Sequence, residues 1–180
     1  MKDRFLALID REAEHARQGR PAHIIAKMNS LEDHGIISAL YKASQAGVKI
    51  DLMVRGLCCL RPNIPGLSEG IRVISVIGRL LEHSRLYYFE NGGDPELYIG
   101  SADLMERNLD RRVEVLCPIT DPALRMLLLH EVLEVLLGDT DRAWLLHTDG
   151  SYVRATPAEG TAPVNSQRFL LDWYSSQHDS

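Results

Sequence analysis

Two apolar segments with an amphipathic segment between them constrain the fold of this chain more than any other feature. Residues 22–29 and 48–54 are mostly apolar and have the length of buried strands. Between them, residues 31–46 repeat apolar side chains at helical spacing and end at Gly47. Residues 30–33 resemble a capping box, which predicts the start of this helix. A strand, a helix and a strand in this order predict two parallel strands joined by a right-handed crossover.

Further strands and helices follow this unit along the chain. Apolar segments bounded by turn residues predict four more strands, at residues 71–77, 83–90, 96–101 and 111–117. Helices are expected at residues 5–18, 122–137 and 166–176, and a hairpin at residues 144–154. The 180 residues suffice for one sizeable core. The predicted fold is therefore α/β, with a mixed sheet flanked by helices.

The distribution of charge points to an anionic ligand, although the total charge does not. The formal net charge is −5, which gives no general signal for nucleic acid or for an anionic membrane. Residues 55–85 nevertheless contain five arginines, two glutamates and no lysine. Arginine binds phosphate with two parallel hydrogen bonds, so this segment is typical of a polyanion site.

The cysteines and the apolar segments indicate the cellular compartment. Cys58, Cys59 and Cys117 form neither a disulfide framework nor the spacing of a zinc site, which favours a reducing cytosol. No apolar segment approaches the roughly 18 residues that a membrane-spanning helix needs. We therefore expect a cytoplasmic protein.

The polar residues with the clearest chemical meaning surround His83. In an extended strand His83 and Arg85 point to the same face, and a neutral imidazole beside a fixed cation suits chemistry on phosphate. Glu90 follows at the end of the same apolar segment, and Gly100, Ser101 and Asp103 lie downstream. The alternative interpretation is an exposed histidine without a chemical role, and a Glu90 that simply pairs with Arg85.

These residues match a known pattern in part. They read His83-x-Arg85, four further residues and Glu90, then Gly100-Ser101-Ala102-Asp103. This resembles the phospholipase D superfamily motif, which has His-x-Lys, an acidic residue further on, and a downstream Gly-Ser-x-Asn. Each difference keeps a cation, a carboxylate or a hydrogen-bonding side chain in place, so the resemblance implies a phospholipase-D-like fold.

A longer resemblance rests on ungapped segments within residues 23–118, at positions 25–31, 47–51, 54–56, 59–62, 66–69, 81–85, 89–93 and 107–114. Together they resemble the last catalytic domain of the long bacterial polyphosphate kinases. The resemblance implies an enzyme that moves the terminal phosphoryl group of ATP reversibly onto polyphosphate, with Mg²⁺, through a phosphohistidine. That histidine would lie in a missing preceding domain. Residues 1–19 would then form a helix at the seam with that domain, and residues 20–180 the catalytic domain itself.

The resemblance also implies roles for single residues. Arg55 and His83 match contacts to nucleotide phosphates, with His83 as the second active-site histidine, and Arg112 matches a basic residue close to the transferred phosphate. From their chemistry we expect four cations to line the path of polyphosphate, namely Lys27, Arg61, Arg72 and Arg85. Supporting roles are expected for Glu90, Ser101, Asp103 and Asn108. The last two are also typical capping or turn residues, and Arg112 also fits a solvated face of mixed charge. No metal ligand is assigned.

The expected partners are ATP or ADP, polyphosphate and the upstream domains of the same enzyme. We expect the full-length enzyme to be a homo-oligomer, free in the cytoplasm or peripheral to the inner membrane, and not to bind nucleic acid. The isolated chain is expected to be inactive. Two other functions remain open, a phospholipase-D-like phosphodiesterase or nuclease acting as a homodimer and a non-catalytic polyanion-binding module. The Arg-Gly-x-Cys-Cys-Leu-Arg-Pro loop at residues 55–62 favours the kinase, because the phosphodiesterase pattern does not require it.

Overall fold

A mixed sheet forms the centre of the fold. The computed structural model describes residues 1–178. Its strands are β1 (His23–Met28), β2 (Lys49–Val54), β3 (Ile71–Val76), β4 (Arg85–Phe89), β5 (Glu96–Gly100), β6 (Leu116–Pro118), β7 (Ala143–Leu146) and β8 (Tyr152–Arg154). They lie in the order β6-β5-β4-β1-β2-β3-β7-β8. β1, β2 and β3 run parallel, and the other neighbouring pairs are antiparallel.

Helices cover both faces of this sheet. They are α1 (Lys2–Arg17), α2 (His34–Gln45), α3 (Glu106–Arg111), α4 (Pro122–Leu127), α5 (Val135–Leu137) and α6 (Ser166–His178). α1 and α2 cover one face, where the ring centroids of Phe5 and Tyr87 lie 4.7 Å apart. The segment from α4 to α5 covers the other face. The predicted α/β fold, with a mixed sheet flanked by helices and a parallel β-α-β unit, is confirmed. None of the described helices is long and apolar enough to cross a membrane.

The start of α2 differs from the prediction. The backbone N–H groups of Leu31 and Glu32 donate to the carbonyl oxygens of Leu57 and Leu104, which holds these residues extended. Asp33 is the N-cap instead, and its Oδ1 accepts from the N–H of Ile36 at 3.0 Å. The predicted capping box is therefore wrong, because backbone pairing with two distant segments displaces the helix start.

The long helix predicted at residues 122–137 is present, but its middle is wound differently. Leu128–Glu134 form a π-helix between α4 and α5. A π turn contains more residues than an α turn, so it rotates the side chains that follow it. The buried residues of this segment are Leu129, Leu133 and Leu136, whereas Leu124 is 44% exposed.

The strand predicted at residues 111–117 is largely wrong. Residues 106–111 form the short helix α3, and only Leu116–Pro118 pair with the sheet. α3 forms because Asn108 and Leu109 bury their side chains against the fold. Residues 112–115 then run outside the sheet with an alternating pattern that resembles a strand but has no strand partner.

Candidate functional site

The site is built where β1 and β2 end. These strands are parallel and Met28 is paired in register with Val54, so the residues that follow, Asn29 and Arg55, come to the same edge. Arg55 donates from Nε and Nη2 to Oδ1 of Asn29, at 3.1 and 2.8 Å. Ligands of open α/β sheets bind at this edge, beyond the carboxyl ends of the strands. Asn29 was given no role from the sequence, although its position directly after a buried strand could have indicated one.

Asp103 joins Asn29 to Arg85. Oδ1 of Asp103 accepts from the Asn29 backbone N–H at 2.7 Å and from Nδ2 of Asn29 at 3.2 Å. Arg85 donates with Nε to Oδ1 at 3.2 Å and with Nη2 to Oδ2 at 3.0 Å. Burial alone would raise the pKa of Asp103, but hydrogen bonds from Arg85 and Asn29 hold that pKa below its ordinary value. Asp103 is therefore an ionised bridge between two parts of the site and neither a helix cap nor a turn residue.

His83 lies beside Arg85 but outside the strand. β4 begins at Arg85, so the predicted strand start at His83 is wrong, and the exposed His83 ends the loop before β4. Nη1 of Arg85 lies 2.9 Å from Nδ1 of His83 and donates to the His83 carbonyl oxygen at 3.0 Å. Nη2 of Arg85 also lies 3.4 Å from Nε2 of His83. A guanidinium group only donates, so the shorter contact favours a lone pair on Nδ1 and, in a neutral ring, the proton on Nε2.

Lys27 sits beneath the loop that carries His83. Its ammonium group is buried and donates to Oγ of Ser84 at 2.9 Å and to the Ser84 carbonyl oxygen at 3.3 Å. It also pairs with Oε2 of Glu82 at 3.2 Å. Burial lowers the pKa of Lys27, and the charges of Arg55 and Arg85 lower it further against the opposing effect of Glu82. All three N–H bonds of Lys27 are thus directed at the loop.

A second group of side chains surrounds Glu114. Ser101 donates its hydroxyl to Oε2 of Glu114, and Nδ2 of Asn108 donates to Oε1 at 2.7 Å. The Ser101 hydrogen bond, together with those from Asn108 and the charges of Arg112 and Arg85, lowers the pKa of Glu114. Arg112 is exposed just after α3. Ser101 and Asn108 therefore support Glu114, which was not predicted as a site residue although it closes the segment Arg112-x-Glu114.

Three predicted residues lie away from this group. Glu90 follows the far end of β4, about 16 Å from Arg85 at 3.3 Å per residue, and accepts from the Tyr88 hydroxyl at 2.6 Å. The alternative in which Glu90 pairs with Arg85 is wrong, since Asp103 takes that place. Nε of Arg72 donates to Asp51 at 2.7 Å, and exposed Arg61 donates to the Thr148 carbonyl oxygen at 3.3 Å. The place of Arg61 and Arg72 in a polyphosphate path stays a prediction.

Two cavities lie near the site or along the same sheet. A cavity of about 200 Å³ is lined by Arg55, Gly56, Ser75, Ile77, Trp144 and Tyr152. A larger cavity of about 760 Å³ lies at the β5–β6 edge and contains none of the predicted site residues. Among the residues that the structure describes, no group of three or more His, Cys, Asp or Glu is placed to hold a metal ion. The carboxylates nearest the site are already paired, Asp103 with Arg85 and Glu82 with Lys27.

Comparisons with known proteins place this chain in one family. The model of the family described as "Polyphosphate kinase C-terminal domain 2" matches residues 1–167. The match extends well beyond residues 23–118, on which the sequence resemblance rested. A polyphosphate kinase of Thermosynechococcus vestitus is 60% identical over 171 residues, which are 95% of this chain and 23% of that protein.

Solved structures agree with this match. The crystal structure of polyphosphate kinase from Porphyromonas gingivalis superposes with a TM-score of 0.93 at 38% identity, over 99% of this chain and 27% of that one. NucT from Helicobacter pylori superposes with a TM-score of 0.53 at 14% identity, over 76% of this chain and 88% of that one, which shows the fold alone. The chain spans about a quarter of the length of the polyphosphate kinases that it matches. This chain therefore belongs to the polyphosphate kinase C-terminal domain 2 family.

Proposed function

We propose that this chain supplies the phosphate-binding part of a polyphosphate kinase active site. In the reaction, the terminal phosphoryl group of ATP passes reversibly to polyphosphate. The observation that carries the proposal is the continuous series of hydrogen bonds from Arg55 through Asn29, Asp103 and Arg85 to His83. This series fixes two guanidinium groups and one imidazole at the edge of the sheet where α/β folds bind ligands.

The two arginines neutralise the charge of phosphate. Phosphoryl transfer depends on positioning and on stabilising negative charge more than on covalent help from the protein. Arg55 uses one N–H of Nε and one of Nη2 on Asn29, which leaves Nη1 and the second N–H of Nη2 to donate to two phosphate oxygens. Arg85 is held from behind by Asp103, so its plane is fixed before any ligand binds. A preformed site of this kind loses little conformational entropy on binding.

His83 supplies a proton donor. Its neutral ring has the proton on Nε2 when Nδ1 accepts from Arg85. The exposed ring can donate this proton to an oxygen of the phosphoryl donor or of the leaving group, and can take a proton back when the reaction runs in reverse. A phosphate anion beside His83 also stabilises the imidazolium form.

Other parts of the proposal come from the family. The phosphorylated histidine, the rest of the nucleotide site and the interface of a homo-oligomer would belong to the remaining three quarters of the enzyme. Within residues 1–178 no group of carboxylates fits a magnesium site, so no step is derived through the metal. Mg²⁺ would enter with the phosphates of ATP, as it commonly does in enzymes of this kind. The three free cysteines, Cys58, Cys59 and Cys117, agree with action in the reducing cytoplasm.

The decisive test is His83→Ala in the full-length enzyme, with His130→Ala as a matched control. His130 is also exposed, but it lies on the π-helical segment, where its ring contacts the carboxylate of Glu134. We expect His83→Ala to lower the rate of ATP-to-polyphosphate transfer by about 10²–10⁴-fold, because proton transfer is lost. Its stability should change by no more than about 1 kcal/mol, because the side chain is exposed.

Four results would count against the proposal. Near-normal transfer by His83→Ala would remove His83 from the chemistry. Unfolding of that variant would make His83 a structural residue. Efficient transfer by the 180-residue chain alone would show that the missing part is dispensable. Hydrolysis of a phosphodiester by the chain, without transfer to polyphosphate, would favour the phosphodiesterase alternative.

A further inference from the structure

Gln167 joins the C-terminal helix to the loop that precedes His83. This side chain is only 5% exposed. Its Oε1 accepts from the Leu80 N–H at 2.9 Å, and its Nε2 donates to the Leu80 carbonyl oxygen at 2.9 Å. Nε2 also donates to Oε1 of Glu82 at 2.9 Å. One buried amide thus forms three hydrogen bonds to the residues immediately before His83.

The helix end that carries Gln167 is anchored to the sheet. Ser166 donates its N–H and its hydroxyl to Oδ2 of Asp139, at 2.8 and 2.6 Å. Oδ1 of the same carboxylate accepts from the N–H of Ala143 at 3.0 Å, where β7 begins. Asn165 donates from Nδ2 to Asp141 at 2.7 Å. The amide of Gln167 therefore reaches the loop from a helix end that is fixed to β7, the strand that pairs with β3.

The other contacts of the loop between β3 and β4 lie near its two ends, where the Ile77 N–H donates to the Arg142 carbonyl oxygen and Lys27 binds Glu82 and Ser84. Residues 77–84 form neither helix nor strand. The apolar side chains of Ile77, Leu80 and Leu81 are 58%, 45% and 75% exposed, so packing contributes little to its order. A Cβ at Gly78 would overlap the amide of Gln167, which explains how the amide approaches the backbone so closely.

Glu82 transmits this anchoring to the site. One of its oxygens accepts from Gln167, and the other pairs with the buried ammonium group of Lys27. Lys27 in turn donates to Ser84, which lies between His83 and Arg85. The contacts form an unbroken series from α6 to the residue next to the imidazole. Loss of the Gln167 amide would free one end of this series and leave Glu82 with only its ionic partner.

We propose that Gln167 is a positioning residue, which holds the loop of residues 77–84 so that His83 meets Arg85 and the phosphate. The proposal rests on the function proposed above, since it assigns a role in the same site. It gives the C-terminal helix a part in catalysis that no motif in the sequence indicates. The three hydrogen bonds from Gln167 to Leu80 and Glu82 form a clamp on the loop. This clamp is a property of the fold and can be tested without turnover.

Turnover is measured in the full-length enzyme with three variants. Gln167→Ala removes all three hydrogen bonds. Gln167→Glu keeps the size of the side chain and its acceptor, but directs a carboxylate at Glu82. Arg168→Ala is the matched control, because Arg168 is the next residue of α6, its side chain is 83% exposed and its ion pair is with Asp172.

A positioning role predicts a loss in kcat with little change in KM. We expect kcat of Gln167→Ala to fall about 10- to 100-fold, as for a small misplacement of a reacting group, while KM for ATP changes less than about threefold. Gln167→Glu should lose as much at neutral pH and recover part of its kcat as the pH falls, because a protonated carboxyl group can donate to Glu82 again. Arg168→Ala should stay within about twofold of the parent enzyme.

The clamp is measured separately in the 180-residue chain by amide hydrogen exchange. Gln167→Ala should exchange the Leu80 amide at least about tenfold faster, because its acceptor is gone, whereas Arg168→Ala should not change the rate. Unchanged exchange at Leu80 overturns the clamp, and unchanged kcat in an active enzyme overturns the positioning role. An inactive parent enzyme counts against the proposed function, while the exchange rates still decide on the clamp. Should Gln167→Ala not fold, Gln167→Glu decides both questions.

Discussion

Replacing Asp103 tests whether one buried carboxylate holds the site together. Asp103 is 7% exposed and accepts hydrogen bonds from both Asn29 and Arg85. Asp103→Ala would leave the guanidinium group of Arg85, whose side chain is 11% exposed, without its anion. It would also leave the Asn29 N–H without an acceptor. Both losses affect the folded state and not the unfolded state, so they lower the free energy of unfolding.

The size of this effect follows from the geometry. Removing one member of a buried ion pair costs about 3–5 kcal/mol. Because both side chains keep about a tenth of their exposure, the lower end of that range, about 3 kcal/mol, applies. The lost Asn29 contact adds about 1 kcal/mol. Asp103→Asn keeps an oxygen acceptor and the shape of the side chain, so we expect it to cost about 1–2 kcal/mol.

Urea denaturation of the chain at pH 7 measures these values. The set contains Asp103→Ala, Asp103→Asn, Arg85→Ala and the double variant Asp103→Ala/Arg85→Ala. We expect an interaction energy of about 2 kcal/mol between the two sites and an unchanged dependence on urea concentration. A loss below about 1 kcal/mol for Asp103→Ala, or strict additivity in the double variant, would refute the reasoning. The ion pair would then be a solvated contact of little value.

Three further measurements follow from the structure. Arg55→Ala should weaken the binding of polyphosphate to the chain by about tenfold, and binding should weaken with added salt. Arg55→Lys should restore the affinity only in part, because an ammonium group cannot form a two-pronged contact with phosphate. Equal affinity of the lysine variant and the parent chain would contradict the two-pronged contact. Burial alone would raise the pKa of Asp51. The hydrogen bond from His23 and the charge of Arg72 outweigh burial and lower this pKa from 3.8 to about 2. Its contribution of about 2 kcal/mol is present above pH 4 and lost as the pH falls towards 2, so Asp51→Asn should flatten the acid limb of stability, measured as urea midpoints from pH 6 to 2. Leu133→Ala should cost about 3 kcal/mol in the same assay, since Leu133 is a fully buried residue of the π-helical segment. A loss below about 1 kcal/mol would show that this segment is not packed as described.

Local sequence patterns were sufficient for much of the fold and for part of the site. The apolar periods predicted the parallel unit of β1, α2 and β2, because burial on two faces requires continuous apolar strands. The spacing of His83 and Arg85 predicted that they lie side by side, as they do, although the strand on which this was argued begins only at Arg85. Arg55 directly follows the strand predicted at residues 48–54, and ligands of α/β folds bind beyond the carboxyl ends of such strands. Each of these conclusions depends on residues within one or two elements.

The errors concern features that depend on distant partners. The helix α3 and the π-helical segment are set by which side chains the sheet buries, and local propensity does not contain that information. Glu90 matched the spacing of a motif, but the antiparallel pairing of β4 with β1 carries it to the far end of the sheet. The spacing along the strand therefore did not indicate which residue Glu90 contacts.

The sequence by itself determined the class of fold, the parallel β-α-β unit and the pair His83–Arg85, since short-range periodicity and spacing encode them. Only the tertiary structure showed that Asn29 and Asp103 join Arg55 to Arg85, over separations of 18 to 74 residues. It also placed Gln167 on the loop of His83, 87 residues from its partner Leu80. Amide and carboxylate side chains carry no signature of such partners, because a hydrogen bond depends on where the folded backbone brings its donor and acceptor, and not on their distance along the chain.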